Sequence, residues 1–192
     1  MMQAFELTAL ILAGGQAQRM GGVDKGLQVY QGVSMARRLV DLVSPLCIDT
    51  VISANRNIKH YRALTRLVVS DAEPWQDIGP LGGIFSALES INSSHLLIVP
   101  CDTPCLSREA LLKLSMSAQQ TPDKVHYLES ESGRQPLHAV LPVNQLKQKL
   151  PNFLKNTEHF GVMKFYKTIG AESVYWEHDE ELVNINRIEQ LV

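Results

Sequence analysis

The 192-residue sequence predicts a three-layer α/β/α fold around a mostly parallel sheet. Three observations carry that expectation. Apolar runs of strand length recur at residues 7–12, 50–53, 67–69 and 95–99, the pattern of strands covered on both faces. Segments with helical spacing of apolar residues lie between most of them. Loops rich in glycine, asparagine or aspartate follow the strands, where ligands collect in open α/β sheets. The length suits one domain spanning 1–192, with enough chain to bury a core without disulfides or metal staples.

The elements follow in order. Residues 7–12 are expected to form the central strand, ending at Gly14-Gly15. After a glycine-rich loop, Leu27-Gln28-Val29-Tyr30 alternates as a short strand and turns at Gln31-Gly32. Met35, Leu39, Leu42, Val43 and Leu46 then repeat at helical spacing, with Ser34 placed as N-cap and Pro45 breaking the last turn. The strand at 50–53 leads into the polar loop Asn55-Arg56-Asn57, and Tyr61 and Leu64 suit a short helix. The strand at 67–69 stops just before Asp71, and residues 71–80 have the acid, proline and glycine content of a functional loop. Gly79-Pro80-Leu81-Gly82-Gly83 opens a helix carrying Ile84, Leu88 and Ile91 on one face. Its glycines either expose N–H groups to a ligand or permit close packing; spacing alone does not choose.

The strand at 95–99 runs into Pro100-Cys101-Asp102-Thr103-Pro104, and Ser107 caps a helix with Leu111, Leu112 and Leu114. Asp102 is either a ligand-binding carboxylate or a turn-forming residue. In the C-terminal half, residues 125–128 and 137–141 read as two strands joined by the polar loop 129–135, an antiparallel addition to the sheet. His138 reads as a packed or hydrogen-bonded strand residue. Residues 144–154 are weakly helical, a helix is expected through Val162, Phe165, Tyr166 and Ile169, and a strand at 173–176. Residues 182–186 should be extended, with Asn184 and Asn186 on one side, before a short C-terminal helix.

Composition narrows the function. A formal net charge of -2 argues against a broad nucleic-acid footprint, so anion recognition should be local. No apolar run reaches the roughly 20 residues of a membrane span, and the first residues lack a signal-peptide pattern, so a cytoplasmic location is expected. Cys47, Cys101 and Cys105 are sparse and lack metal or redox spacing, which predicts reduced thiols.

Chemistry concentrates in the loop after the first strand. Glycines let backbone N–H groups approach an anion, and Arg19 and Lys25 can neutralise phosphate oxygens. The Walker pattern fails, because Lys25 follows Asp24 and precedes Gly26, and the dinucleotide fingerprint is missing as well. A long loop aimed at a triphosphate remains, facing a strand-end aspartate able to hold a hard cation.

Leu12-Ala13-Gly14-Gly15, Arg19-Met20-Gly21-Gly22 and Asp24-Lys25-Gly26 together resemble the signature of Rossmann-like nucleotidyltransferases, and Gly-Gly-Val-Asp-Lys-Gly is similar to the molybdenum cofactor guanylyltransferase (MobA) family. Ser53-Ala54-Asn55-Arg56, Gly79-Pro80-Leu81-Gly82-Gly83, Pro100-Cys101-Asp102-Thr103-Pro104 and Asn184-Ile185-Asn186 agree with it, so the likeness covers nearly the whole chain. The resemblance implies transfer of GMP from GTP to molybdenum-bound molybdopterin, with release of pyrophosphate. It implies GTP on Leu12, Ala13, Gly14, Gly15, Ser53, Asn55 and Asp71, with Lys25 and Arg19 at its phosphates. Asp102 is implied as the ligand of Mg2+ and, with Lys25 and Arg19, as catalytic. Gly22, Gly82, Asn184 and Asn186 are implied at the molybdopterin face, so the N-terminal half would mainly bind GTP and magnesium and the C-terminal half the pterin. The family's nucleotide-binding loop often begins with asparagine where this chain has Ser53, with Asn55 retained. Transient contacts with molybdenum-inserting and molybdoenzyme proteins are expected, and none with nucleic acid or membrane. A cytidylyl- or sugar-phosphate nucleotidyltransferase of the same fold also fits these residues. A non-catalytic GTP- or cofactor-binding adaptor is a third reading, opposed by the presence of both Lys25 and Asp102.

Overall fold

The first strand, β1 (Leu7–Leu12), is covered by side chains on both faces, and the rest of the sheet grows outward from it. The computed structural model describes residues 4–14 and 23–185. Chain order gives β2 (Val29–Tyr30), β3 (Val33–Ser34), α1 (Met35–Val43), β4 (Asp49–Ser53), α2 (Ile58–Arg62), β5 (Leu67–Val69), α3 (Pro80–Ala87) and β6 (His95–Pro100). Then come α4 (Arg108–Gln120), β7 (Val125–Ser130), β8 (Gly133–Pro142), α5 (Val143–Lys155), α6 (Val162–Ile169) and β9 (Ala171–Tyr175). Seven strands form one sheet in the order β5-β4-β1-β6-β8-β7-β9, and β2 pairs with β3 in a separate ribbon. Every pairing among the seven is parallel except the two made by β8, which runs against both β6 and β7. The expected mostly parallel sheet with an antiparallel addition is therefore present.

Alternation along the strands sorts the core into two layers. Ala9 and Ile11 of β1 face Ala36, Leu39 and Val43 of α1, Tyr61 of α2 and Leu111 and Leu114 of α4. Leu10 faces the other way, into a layer built with Ile84 of α3, Leu146 and Leu150 of α5 and Phe165 of α6. Helices on both faces explain why β1 and β6 at the centre of the sheet carry few polar residues.

Several boundaries depart from expectation for physical reasons. Lys25–Leu27 forms a 3-10 turn, leaving only Val29–Tyr30 as strand. Ser34 occupies the N-cap of α1 without a side-chain cap bond, whereas Ser107 Oγ accepts from Ala110 N at 3.2 Å and caps α4. The supposed polar loop 129–135 is mostly strand, because Glu129 pairs with Arg134 and Ser130 with Gly133 in a tight hairpin. Gly133 takes φ +110° there, which favours glycine. Residues Asp179–Leu182 form a 3-10 turn where an extended piece was expected to begin, and β9 starts at Ala171. The sheet's middle strand is β6, with β1 beside it inside the parallel block. The predicted C-terminal helix lies outside the described residues.

One irregularity bears on the site. Tyr127 pairs with Ala139 and Leu128 with Gln135, so Pro136, Leu137 and His138 bulge out of β8 with no partners on β7. The pairing of β8 with β6 also stops at Ala139, opposite Ile98. The bulge thus lies beside the carboxyl end of β6, where bulges commonly re-aim side chains toward a site.

Candidate active site

From β1 the chain winds through β4 to β5 on one side, then returns to place β6 on the other side of β1. That reversal leaves a crevice outside the carboxyl ends of β1 and β6. Backbone bonds stitch its rim: Cys101 N donates to Leu12 O at 3.0 Å, and Ala13 N to Ser53 O at 2.8 Å. A cavity of about 420 Å³ opens there, with Gly14, Lys25, Asp71, Asp102, His138 and Asn184 in its walls.

Lys25 and Asp102 meet across the crevice, Nζ to Oδ2, at 3.2 Å. Their side chains are only 23% and 17% exposed, so the pair sits in a partly water-excluded environment. Because Ser107 caps α4, Asp102 is not needed there and its carboxylate faces Lys25. Lys25 is aimed by its neighbour. Asp24 accepts from the buried Tyr61 hydroxyl at one carboxylate oxygen and from Asn57 Nδ2, at 3.0 Å, at the other. Burial above all, and then the Asp24 hydrogen bond, push the Tyr61 hydroxyl's pKa up, so it acts as a fixed donor. A Cβ on Gly26 would come within 2.5 Å of that hydroxyl, so glycine lets the loop lie on Tyr61.

On the β4–β5 side, Asn55 and Asp71 clamp each other. Asn55 Nδ2 donates to Asp71 Oδ2 at 2.8 Å, and Asp71 N donates to Asn55 Oδ1 at 2.9 Å. Asn55 Nδ2 also reaches Gly14 O at 3.4 Å, tying the clamp to the first loop. Burial raises the pKa of Asp71 and the nearby Asp77 carboxylate adds to the rise, while the Asn55 bond opposes it. Ser53 is 1% exposed and sits beneath α3; a Cβ on Gly83 would lie 2.5 Å from its Oγ. Gly82 faces the loop before α3 rather than the open cavity, and a Cβ there would meet Trp75 O at 2.7 Å. Close packing therefore accounts for both glycines.

Asn184 lines the cavity from the far side, held by Ile185 N donating to Asp102 O at 2.7 Å. Gly15, Arg19, Gly22 and Asn186 lie outside the described residues. Leu12, Ala13, Gly14, Lys25, Ser53, Asp71, Asp102 and Asn184 come together around one cavity, and Asn55 braces it. The three thiols are free, and burial pushes Cys101 far up and Cys47 to about 12, which disfavours a thiolate nucleophile.

Sequence reasoning did not find the Asp24–Tyr61–Asn57 brace, Asp77, or the β8 wall of Gln135 to His138. Asp24 carried a signal in its position next to Lys25. Tyr61 carried none, since a buried tyrosine at helical spacing looks like core. His138 is buried, with Nε2 3.0 Å from Thr103 Oγ1, and burial pushes its pKa down to about 3, so the ring is neutral.

Among the described residues, no group of three His, Cys, Asp or Glu side chains converges as a metal cage. A lone strand-end carboxylate fits the way magnesium is held, through few protein ligands with substrate phosphates and water completing the shell. Asp24, Asp71, Asp77 and Asp102 against Lys25 and Arg56 make the described wall acidic, so a polyphosphate needs added positive charge to enter.

An α/β sheet with a lysine-bearing loop and a strand-end aspartate at its switch point defines a nucleotide-dependent transferase class, and residues 9–172 match the family model "MobA-like NTP transferase domain". The chain is 35% identical over 186 residues, 96% of it and 95% of the relative, to a molybdenum cofactor guanylyltransferase of Haemophilus influenzae. It is also similar to the crystal structure of molybdopterin-guanine dinucleotide biosynthesis protein A from Archaeoglobus fulgidus, with TM-score 0.72 and 17% identity over 96% of this chain and 94% of that one. A 4-diphosphocytidyl-2C-methyl-D-erythritol synthase from Anaerococcus prevotii shares the fold, with TM-score 0.74 and 14% identity over 97% of this chain and 94% of that one. The chain belongs to the molybdenum cofactor guanylyltransferase family within the MobA-like NTP transferases.

Two outcomes follow for the site's braces. Tyr61→Phe leaves an Asp24 oxygen without its donor and should cost about 1–3 kcal/mol in urea denaturation, with a lower kcat as Lys25 loses its aim. Asp71 has a folded pKa above its ordinary 3.8, so its favourable contribution is complete below that value and is lost as pH rises through the folded pKa. The Tm of Asp71→Asn minus that of wild type should therefore grow from acid toward neutral pH; a flat or falling difference in paired melts would contradict the shift.

Proposed function

We propose that this chain transfers GMP from GTP to the phosphate of molybdenum-bound molybdopterin, forming the guanine dinucleotide cofactor and releasing pyrophosphate. The observation that carries the reading is the Lys25–Asp102 pair at the β1–β6 crevice, in a chain of the guanylyltransferase family. The nucleoside side is built by Leu12, Ala13, Gly14, Ser53, Asn55 and Asp71, with Gly15 and Arg19 assigned to the same substrate by resemblance. The acceptor side includes Asn184, with Gly22 and Asn186 assigned to the same substrate by resemblance. Gly82 contributes by letting the loop that bears Asp71 pack against α3.

The acceptor phosphate oxygen bonds to the α-phosphorus of GTP while the bond from that phosphorus to the α–β bridging oxygen breaks, and that oxygen keeps the electron pair and departs as part of pyrophosphate. The attacking oxygen is already ionised, so no side chain need remove a proton. The difficulty is bringing two anions together in line, and the chain's task is positioning and charge neutralisation. Lys25 places an ammonium group against the reacting phosphates, and Arg19 is assigned a second cation. Asp102 would hold magnesium, which when bound neutralises phosphate oxygens. Loss of the Lys25–Asp102 contact on substrate binding frees both groups for these roles.

Among the described residues no helix is long and apolar enough to cross a membrane. Our reading places the reaction in the cytoplasm, within one domain, with hand-over contacts to a molybdenum-inserting protein and to recipient molybdoenzymes, since an unstable pterin released into water would be lost.

Pyrophosphate release measured with each nucleotide, with and without molybdopterin, tests the reading. GTP with molybdopterin should support turnover; CTP with a sugar phosphate supporting it instead would overturn the assignment, and GTP binding without product would leave an adaptor. Lys25→Ala should lose about 2–4 kcal/mol of transition-state stabilisation, read from kcat/KM, the scale of one charge-stabilising donor.

A further inference from the structure

The β8 bulge is a built wall. Tyr166 OH donates to Pro136 O at 2.8 Å, and His138 Nε2 lies 3.0 Å from Thr103 Oγ1 in a fully buried contact. The neutral imidazole and the Thr103 hydroxyl share one proton in that bond, with the donor set by the His138 tautomer. The first bond ties the bulge to α6, and the second joins it to the turn that carries Asp102. The wall's cavity face is Gln135, Pro136 and Leu137, a carboxamide beside two apolar side chains. Asn184 stands on the same side, and neither Gln135 nor Asn184 has a side-chain hydrogen-bond partner among the described residues.

The strand order fixes what this wall faces. The Asn55–Asp71 clamp follows β4 and β5, at one end of the crevice, whereas β8 lies beyond β6 at the other. Lys25 and Asp102 stand between them. A displacement in line at the α-phosphorus sets the acceptor oxygen opposite the departing pyrophosphate, so the acceptor needs a wall of its own, apart from the polyphosphate. The charged lining residues Asp71, Asp77 and Arg56 all belong to the β4–β5 side, and the β8 wall is neutral and half apolar. It suits a flat heterocycle with donor and acceptor groups along its edge better than a polyphosphate.

We propose that Gln135, presented by the β8 bulge, determines acceptor specificity by pairing its carboxamide with the 2-amino-4-oxopyrimidine edge of the pterin, with Pro136 and Leu137 against the ring. The inference rests on the proposed guanylyl transfer. Guanine carries the same edge chemistry, so the experiment separates the two sources. His138 is a positioning residue that holds the wall against the Asp102 turn.

The test uses the full chain and separates the two substrates. Kd for molybdopterin is read from pterin fluorescence without GTP, Kd for GTP with magnesium from calorimetry without pterin, and KM is measured for each. Gln135→Leu keeps the bulk and removes the carboxamide; it should raise Kd and KM for the pterin about tenfold, the loss expected for one buried hydrogen-bonded contact, and leave those for GTP within about twofold. Gln135→Asn retains the carboxamide on a shorter stem and should recover part of the pterin affinity. His138→Phe should lower kcat more than it changes either Kd. A GTP-specific loss in Gln135→Leu would assign the residue to guanine and overturn the proposal, as would unchanged pterin affinity in the variant with wild-type GTP affinity. Wild type that binds molybdopterin yet makes no dinucleotide defeats the guanylyl-transfer reading, while the fluorescence comparison still decides Gln135.

Discussion

The parallel register of β1 and β6 is the constraint on which the site depends. Leu12 lies opposite Pro100, so the two strands end level, and the bond from Cys101 N to Leu12 O carries the pairing one residue past the strand. Level ends let a loop leaving β1 and a turn leaving β6 look at each other across a gap a lysine side chain can span. A shift of one residue would turn every side chain of β1 to the opposite layer, exchanging Ile11 for Leu10 in two differently shaped cores. The core thereby holds the register, and the register holds the Lys25–Asp102 distance.

Around that gap the chain places rigid braces behind mobile chemistry. Lysine has many rotamers, and ordering it against a carboxylate costs side-chain entropy. The Asp24 brace leaves that cost in place but holds the position of residue 24, just before Lys25, through both carboxylate oxygens. Asn55 does the same for Asp71, bonding to both its backbone and its side chain. The β4–β5 side of the cavity is thus held by the chain's own hydrogen bonds.

How much of this was legible in sequence follows from the range of the interactions. Strands such as 7–12 and 95–99 announce themselves because double-sided burial excludes polar residues. Lys25 and Asp102 were legible because glycines and a strand end mark them locally. Gly82 and Gly83 were seen but ambiguous, since only the packed positions of Trp75 and Ser53 show what a Cβ would strike. Residues 129–135 were misread as loop because the hairpin is held by backbone pairing of polar residues, which hydropathy does not register. The β8 bulge was invisible, because a bulge exists only relative to the strands on either side.

The bond from Ile185 N to Asp102 O has a further meaning for how the protein comes into being. The strand and turn bearing Asp102 are synthesised early, but one of that residue's backbone fixings is supplied by a segment translated long afterwards, once β7, β8, α5, α6 and β9 have been made. Until that segment arrives, the Asp102 turn lacks this bond and the cavity lacks the wall that Asn184 supplies. The order of synthesis thus makes completion of the cavity a late event, reached only when the segment of Asn184 and Ile185 closes over the Asp102 turn.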